Sequence, residues 1–467
     1  YKNIGEGPGQ KRVIPGHQIA EMALVRLYMV TGDKKYLDQA KFFLDARGTT
    51  ARKDIYLQSH KPVLEQDEAV GHAVRAGYMY SGMADVAAIT GDSSYVRAID
   101  RIWENIVGKK IYITGGIGAR HEGEAFGDNY ELPNLTAYNE TCAAIGNVYT
   151  NYRLFLLHGD AKYFDVLERT LYNGLISGVS LDGGRFFYPN PLACDGKYRF
   201  NADHTITRQP WCACCPSNIS RFIPSLPGYV YAVKDDKVYV NLFLSNRTKL
   251  KVNGKNVVLE QETSYPWNGD IRLTVAKGNQ PFVMNVRIPG WVCGSVLPGG
   301  LYSYADGEEL AYRVSVNGQE VKGALQKGYL SIDRRWKKGD VVEIHFDMQP
   351  RVVKANDKVA ADRGRVAIEC GPLVYCAEWP DNDFDISTLL LNRHPKFQVV
   401  ERPDLLGGIN EITTRAQALS YDATGRLAAK DVKLTLIPYY AWAHRGEGRM
   451  EVWLPIEVGA ASAELQE

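Results

Sequence analysis

The sequence predicts a multidomain protein of α and β regions: an (α/α)6-type helical barrel followed by β-sandwich domains. Three observations carry this reading. A Gly-Asp turn with a tyrosine at fixed offset recurs between amphipathic segments of the first half. After about Val230 the apolar period changes from helical spacing to two. The short apolar runs that follow are punctuated by Gly, Asn and Pro, as strands are.

The helical half is built from a repeated unit. His17 to Val30 places apolar residues at helical spacing, Thr31-Gly32-Asp33 stops it, and Lys34 to Leu44 resumes it. Thr90-Gly91-Asp92-Ser93-Ser94-Tyr95 separates Gly77–Ile89 from Val96–Val107 in the same way. His158-Gly159-Asp160-Ala161-Lys162-Tyr163 separates Ala143–Leu157 from Phe164–Ile176. Glycine suits the left-handed residue after a helix. The aspartate can cap the next helix, and the tyrosine is expected to pack back on the previous one. A unit repeating every 60–70 residues or so marks stacked helical hairpins. Between Gly16 and Val230 there are roughly seven helices, whereas a closed toroid of such hairpins needs about twelve. An N-terminal part of the toroid is therefore expected to lie outside this sequence.

Two loops inserted among the helices are too long for connectors, Ile113 to Asn134 and Val179 to Trp211, and long structureless loops in compact domains are usually functional. Beyond them, period-two runs begin at Lys237–Phe243, Asp270–Val275, Phe282–Ile288, Tyr312–Gly318, Val341–Phe346 and Val366–Glu369. Asn253-Gly254 and Asn317-Gly318 read as hairpin turns. The expected division is 1–230 for the C-terminal part of the helical barrel, 231–360 for one β-sandwich and 361–467 for a second, either separate from the first or intertwined with it. The first boundary falls near Tyr229–Asp236.

Composition narrows the function classes. In 467 residues, 55 basic side chains balance 54 acidic ones, which gives no reason to expect nucleic acid or an anionic membrane as partner. No apolar run reaches the length of a membrane span. Aromatics make up 11%, which suits a sugar-binding cleft and an aromatic-rich β domain equally. Eight cysteines are too few for a disulfide scaffold, and Cys194, Cys293, Cys370 and Cys376 read as buried free thiols.

The remaining cysteines are crowded. Trp211-Cys212-Ala213-Cys214-Cys215-Pro216-Ser217-Asn218 holds three within four positions, and Cys142 lies upstream in Tyr138-Asn139-Glu140-Thr141-Cys142. Glu140 and Cys142, two apart, could converge with the adjacent pair Cys214 and Cys215 on one tetrahedral ion. Zinc accepts thiolates and carboxylates. Adjacent cysteines are an awkward geometry for a zinc knuckle, so a pair of buried thiols or a strained disulfide between neighbours stays open. A helix start after Cys215 and a metal would each lower the thiol pKa, so Cys214 or Cys215 could serve as a nucleophile.

Glu122, Glu124, Asp128 and Glu131 crowd the glycine-rich loop before Glu140. Glu124, between Gly123 and Ala125-Phe126-Gly127, is least like a solvated charge. Its small neighbours let a ligand approach, and the nearby phenylalanine is expected to desolvate the acid and raise its pKa. Glu68 and His72 stand four apart, a spacing that puts both on one helix face. His72 is a metal ligand, a substrate contact or a satisfied core histidine.

Together these motifs, with Gly71-His72-Ala73-Val74-Arg75-Ala76, Glu131-Leu132-Pro133-Asn134 and Tyr439-Tyr440-Ala441-Trp442-Ala443-His444-Arg445-Gly446, resemble glycoside hydrolase family 127, whose members include bacterial β-L-arabinofuranosidases. The resemblance runs from the first residues to about Glu457. It implies a helical barrel followed by β-sandwiches. It implies a zinc ion held by Glu140, Cys142, Cys214 and Cys215, with Cys214 also the nucleophile, Glu124 the acid/base, and His72 and Tyr188 contacting substrate. Cys212 departs from the expected pattern, as a competing ligand or a buried thiol. The implied activity is retaining hydrolysis of plant cell-wall glycosides, most directly β-L-arabinofuranosides. Another pectin-derived glycoside, such as a rhamnogalacturonan II side-chain sugar, is the alternative within the class. A zinc-stabilised carbohydrate-binding protein and a toroidal isomerase or epimerase are the alternatives outside it. The oligomeric state stays open, a dimer included, and so does location in the bacterial periplasm or cytoplasm.

Overall fold

The computed structural model describes residues 2–462 and places helices first and sheets after. The helices of the first region are α1 (Ile19–Thr31), α2 (Lys34–Ala46), α3 (Ala73–Thr90), α4 (Ser93–Lys109), α5 (Thr141–His158), α6 (Lys162–Thr170), α7 (Cys215–Phe222) and the single turn α8 (Pro227–Val230), and a short α9 (Val458–Ser462) follows the sheets. The repeated turn works as its residues suggest. Gly32, Gly91 and Gly159 take the left-handed conformation after α1, α3 and α5. Asp33 accepts from the amide of Lys35, Asp92 from that of Ser94 and Asp160 from that of Lys162. Two of the tyrosines reach further back than the preceding helix. Tyr95 donates to Asp45 on α2, and the Tyr163 ring meets Trp103 of α4 edge-on at 4.8 Å. Tyr163 also stacks on His158 at the end of α5. Each thereby ties its hairpin to the one before.

The helices form two rows. α1, α3, α5 and α7 pack in succession, while α2, α4 and α6 each pack against a member of that row. α3 and α5 approach closely, since a Cβ on Gly77 would lie 3.1 Å from the backbone of Gly146. That proximity lets Thr150 donate across the interface to the carbonyl of Gly77.

The helix expected over Phe164–Ile176 ends early. After Thr170 the chain widens into a π turn over Leu171–Leu175 and a 3-10 turn over Ile176–Gly178. The cause is tertiary. Asn173 donates to the carbonyls of Arg169 and Pro372 and accepts from the amide of Val374, so its side chain joins this segment to a distant strand. Such breaks in the ladder mark places where a side chain inserts.

Beyond α8 two antiparallel-rich sheets face one core. A six-stranded sheet runs Gln319–Glu320, Tyr312–Val316, Val341–Phe346, Asp270–Lys277, Lys255–Thr263 and Asn246–Val252. A four-stranded sheet runs Tyr329–Lys337, Asn279–Arg287, Lys237–Val240 and Tyr231–Lys234. Alternate residues point inward, Ile271, Leu273 and Val275 from one sheet and Phe282, Met284 and Val286 from the other. Both Asn-Gly pairs turn with positive φ at each residue, as a two-residue hairpin requires.

The third, eleven-stranded sheet borrows from its neighbours. Tyr302–Tyr304, from the second region, pairs with Pro350–Ala355, which pairs in turn with Arg365–Cys370. Ala193–Asp195, from the second long loop of the helical region, pairs with Arg449–Glu451. Buried charges bind the regions further. Arg287 holds Asp165 at 2.9 Å and also Glu168, both on α6, and Arg169 holds Glu369 at 2.5 Å.

Candidate active site

The site is assembled at the N-terminal ends of the inner helices. His72 is the N-cap of α3, Glu140 the N-cap of α5 and Cys214 the N-cap of α7. Cys142 and Cys215 follow in the first turns of α5 and α7. These ends carry partial positive charge and suit anions. The expected face shared by Glu68 and His72 does not form. The imidazole of His72 accepts from the amides of Val74 and Arg75 and so stops the helix there. Glu68 lies before the helix and pairs instead with Lys110 at 2.7 Å.

Four donor atoms converge. Cys142 Sγ lies 3.2 Å from Cys214 Sγ and 3.7 Å from Cys215 Sγ, and Cys214 Sγ lies 3.2 Å from Glu140 Oε1. One ligand atom from each of Glu140, Cys142, Cys214 and Cys215 lies within 4.8 Å of every other. Cys214 and Cys215 are 3.9 Å apart and unbridged, so the strained disulfide between neighbours is not formed. Cys212 is buried outside this group of four.

Within the cluster the sulfurs and the carboxyl shift one another. Hydrogen bonds from Cys142, then Cys215, hold Cys214 well below the usual thiol range. Cys142 and Cys215 are pushed up, because each shares its hydrogen with a neighbouring sulfur. Burial pushes the carboxyl of Glu140 well above the usual range. Glu140 Oε2 is buried without a hydrogen-bond partner, a costly condition for a carboxylate oxygen. Three sulfurs and an orphaned buried oxygen suit a soft divalent cation, and zinc fits this donor set.

Beside the cluster, Glu124 sits at the tip of a tight loop closed by hydrogen bonds between Arg120 and Ala125. Gly123 and Glu124 both have positive φ, 69° and 50°, a backbone that a glutamate rarely adopts. The loop pairs with the start of α3 through His72 and Ala125. Glu124 Oε2 is 2.8 Å from His72 Nε2, and Glu124 Oε1 accepts from Tyr138 at 3.1 Å and Tyr188 at 3.2 Å. Because Nδ1 of His72 accepts helix amides, its proton lies on Nε2 and is donated to Glu124. The expectation of a raised pKa for Glu124 is overturned. Phe126 is buried nearby, but the His72 bond outweighs desolvation and holds the carboxyl below its usual value.

Tyr188 links the two centres. Its hydroxyl touches Glu124 and lies 3.7 Å from Cys214 Sγ. The C-terminal sheet holds it in place. Phe187 stacks on Trp442 at 5.3 Å, and buried Arg208 beneath it donates to the carbonyls of Trp442 and Tyr440. The structure thus brings Glu124, His72, Tyr188 and the four cluster residues together. Of the other loop acids, Glu131 pairs with Arg120, while Asp128 and Glu122 are exposed. Sequence reasoning assigned no role to Tyr138, although it opens the motif that contains Glu140. His121, edge-on to Tyr138 at 4.7 Å, carried no sequence signal beyond its place in the loop.

Comparison with known proteins follows the same order along the chain. Residues 1–228 match the family description "Beta-L-arabinofuranosidase, GH127 catalytic domain", residues 237–348 its middle domain and residues 350–455 the "Glycoside hydrolase family 127 C-terminal domain". A non-reducing end beta-L-arabinofuranosidase of Bifidobacterium longum subsp. longum is 35% identical over 499 residues, covering 97% of this chain and 72% of that protein. A solved GH127 beta-arabinofuranosidase superposes with a TM-score of 0.95 at 75% identity, over 98% of this chain and 72% of that one. The crystal structure of a GH127 beta-L-arabinofuranosidase from Geobacillus stearothermophilus T6 gives 0.89 at 39% identity, over 97% and 74%. Among the described residues no helix is long and apolar enough to cross a membrane.

Proposed function

The chain belongs to glycoside hydrolase family 127, and from that premise we propose that this glycoside hydrolase is a retaining β-L-arabinofuranosidase of plant cell-wall sugars with Cys214 as nucleophile and Glu124 as acid/base. The observation that carries this reading is that the Tyr188 hydroxyl lies 3.2 Å from Glu124 Oε1 and 3.7 Å from Cys214 Sγ, so both groups border one space. A double displacement needs a nucleophile and a proton donor that reach one bond.

Glu140, Cys142, Cys214 and Cys215 would hold zinc, which would supply the positive charge that keeps sulfur ionised and lowers its basicity. The chain's own groups do the rest. The sulfur of Cys214 gives its electron pair to the anomeric carbon while the bond to the leaving oxygen breaks. Glu124 gives that oxygen its proton, so the leaving alcohol departs neutral and the sugar stays on Cys214. Glu124, now a carboxylate, takes a proton from water. The water oxygen bonds to the anomeric carbon, and the pair of the carbon–sulfur bond returns to Cys214. Two inversions give retention. His72 and the hydroxyls of Tyr138 and Tyr188 hold Glu124 as a carboxylate in the free enzyme. A sugar that takes over those hydroxyls removes part of that hold, so the carboxyl can carry a proton for the first step.

The test is hydrolysis of an aryl β-L-arabinofuranoside beside other aryl furanosides and pectic sugars. Cys214→Ser and Glu124→Gln are each expected to lower kcat on the arabinofuranoside by on the order of a thousandfold or more. Full activity in either variant contradicts the mechanism. A preference of the unaltered enzyme for a different pectic glycoside contradicts the assigned sugar.

A further inference from the structure

We infer that the C-terminal sheet carries a second binding surface, a basic groove around Arg415 and Lys433 that takes an acidic, uronate-containing sugar chain. That the bound polyanion is a carbohydrate rests on the proposed reading of the enzyme as a hydrolase of plant cell-wall sugars.

The groove arises because two short strands share one edge. Leu389–Leu391 and Gln398–Arg402 both pair with the long strand Ile409–Tyr421. The first stops with Leu391 opposite Ala416, and the second starts with Gln398 opposite Thr413. Thr414 and Arg415 are left with no strand opposite them on that edge, and residues 392–397 loop outward between the two short strands. Asn392 closes the gap by donating its side-chain amide to the carbonyl of Arg415 at 3.2 Å. What remains is a groove of about 870 Å³, lined by this sheet and its loop and remote in sequence from the catalytic residues. That is room for a short oligosaccharide.

The charge of the groove is one-sided. Lys396 stands on the loop, and Arg415 faces Lys433 directly across the pair Ile409–Tyr421 and Leu427–Pro438. Like charges directly opposite one another weaken a strand pair. No counter-charge relieves them, since among the described residues Lys396, Arg415 and Lys433 make no ion pair. Other cations of the same sheet region are paired, Arg402 with Glu411 at 2.9 Å and Arg445 with Asp381 at 2.5 Å. The carboxylate that lines the groove, Asp431, lies opposite Gln417 and only diagonally from Arg415. The chain as a whole is nearly neutral, with 55 basic and 54 acidic residues, so the excess belongs to this place. The rest of the lining selects among anions. A guanidinium beside ammonium groups suits carboxylates in a row. A uronate brings hydroxyls next to each carboxylate, which Asp431 and the amide of Gln398 can bind. A DNA backbone offers Asp431 no such donor. Half-buried Phe397 supplies one apolar face for a sugar ring, whereas single-stranded nucleic acid is held by successive aromatic rings.

The experiment measures binding of the whole chain to tetragalacturonate by titration calorimetry, beside neutral arabinotetraose and a short single-stranded DNA of equal charge. It is repeated with Arg415→Gln and Lys433→Gln combined, and melting temperature and hydrolysis of an aryl β-L-arabinofuranoside are measured on the same samples. The uronate is expected to bind more tightly than either comparison ligand, and less tightly as salt is raised. The double substitution is expected to weaken uronate binding by about tenfold or more. It should leave kcat/KM on the small glycoside unchanged and the melting temperature equal or higher, since two like charges are removed. Absence of uronate binding overturns the inference, as does undiminished binding by the double variant. DNA binding as tight as uronate binding overturns the assignment to carbohydrate. If the unaltered enzyme hydrolyses no arabinofuranoside yet binds the uronate through these two residues, the functional reading falls and the groove stands.

Discussion

Glu124 has three hydrogen-bonding neighbours, and their balance sets how readily its carboxyl holds a proton. His72 contributes most to holding the carboxyl down, and Tyr138 and Tyr188 add to it against the opposing effect of burial. The sign of a perturbation follows. Removing a donor destabilises the carboxylate and raises its pKa. The proposed acid step needs Glu124 protonated, so on that proposal the alkaline limb of kcat/KM reports this group in the free enzyme. Tyr138→Phe is therefore expected to move that limb to higher pH by about half a unit to one unit. A limb that stays in place or moves to lower pH shows that another group sets it. The same residue illustrates what local sequence can carry. Small neighbours marked Glu124 as a candidate acid, but the sign of its shift depended on His72, which is 52 positions away and reachable only through the fold.

At the scale of elements, the chemistry is a consequence of one row of helices beginning at one place. His72, Glu140 and Cys214 are caps, and a cap residue is fixed by the helix it starts. The row is held by the outer helices and by the sheets behind it. Arg287, fully buried on the strand Asn279–Arg287, neutralises Asp165 and Glu168 of α6 and donates to the carbonyl of Asn241. Burial has already pushed Asp165 up to about 6. Arg287→Met would leave two carboxyls without their counter-charge in the interior. The expected destabilisation is about 3–5 kcal/mol, seen as a lower melting temperature. Adding Glu168→Gln should recover part of it. A melting temperature unchanged by Arg287→Met would mean that the junction does not depend on this pair.

Over the whole molecule, much of the order was legible because it is local. The Gly-Asp turns, the Asn-Gly hairpins and the change of period near Val230 each depend on a few adjacent residues. The four cluster residues were legible because Glu140-x-Cys142 and Cys214-Cys215 are short and rare. What was not legible is non-local. Nothing near Tyr302 or Ala193 says that each joins the third sheet, because an isolated three-residue strand carries no period of its own. The π turn after Thr170 is likewise imposed by Pro372 and Val374 through Asn173. These long-range joins matter to function, since Trp442 and Arg208 fix the loop that presents Tyr188 between Glu124 and Cys214. The central claim is that the sugar passes through a covalent bond to Cys214. It is tested most directly by mass spectrometry of Glu124→Gln quenched during turnover of an activated aryl β-L-arabinofuranoside, followed by peptide mapping. The account predicts one anhydropentose on the peptide containing Cys214, absent when Cys214→Ser is added. An adduct on Glu140 or on another residue, or a product released with inverted anomeric configuration, would contradict it.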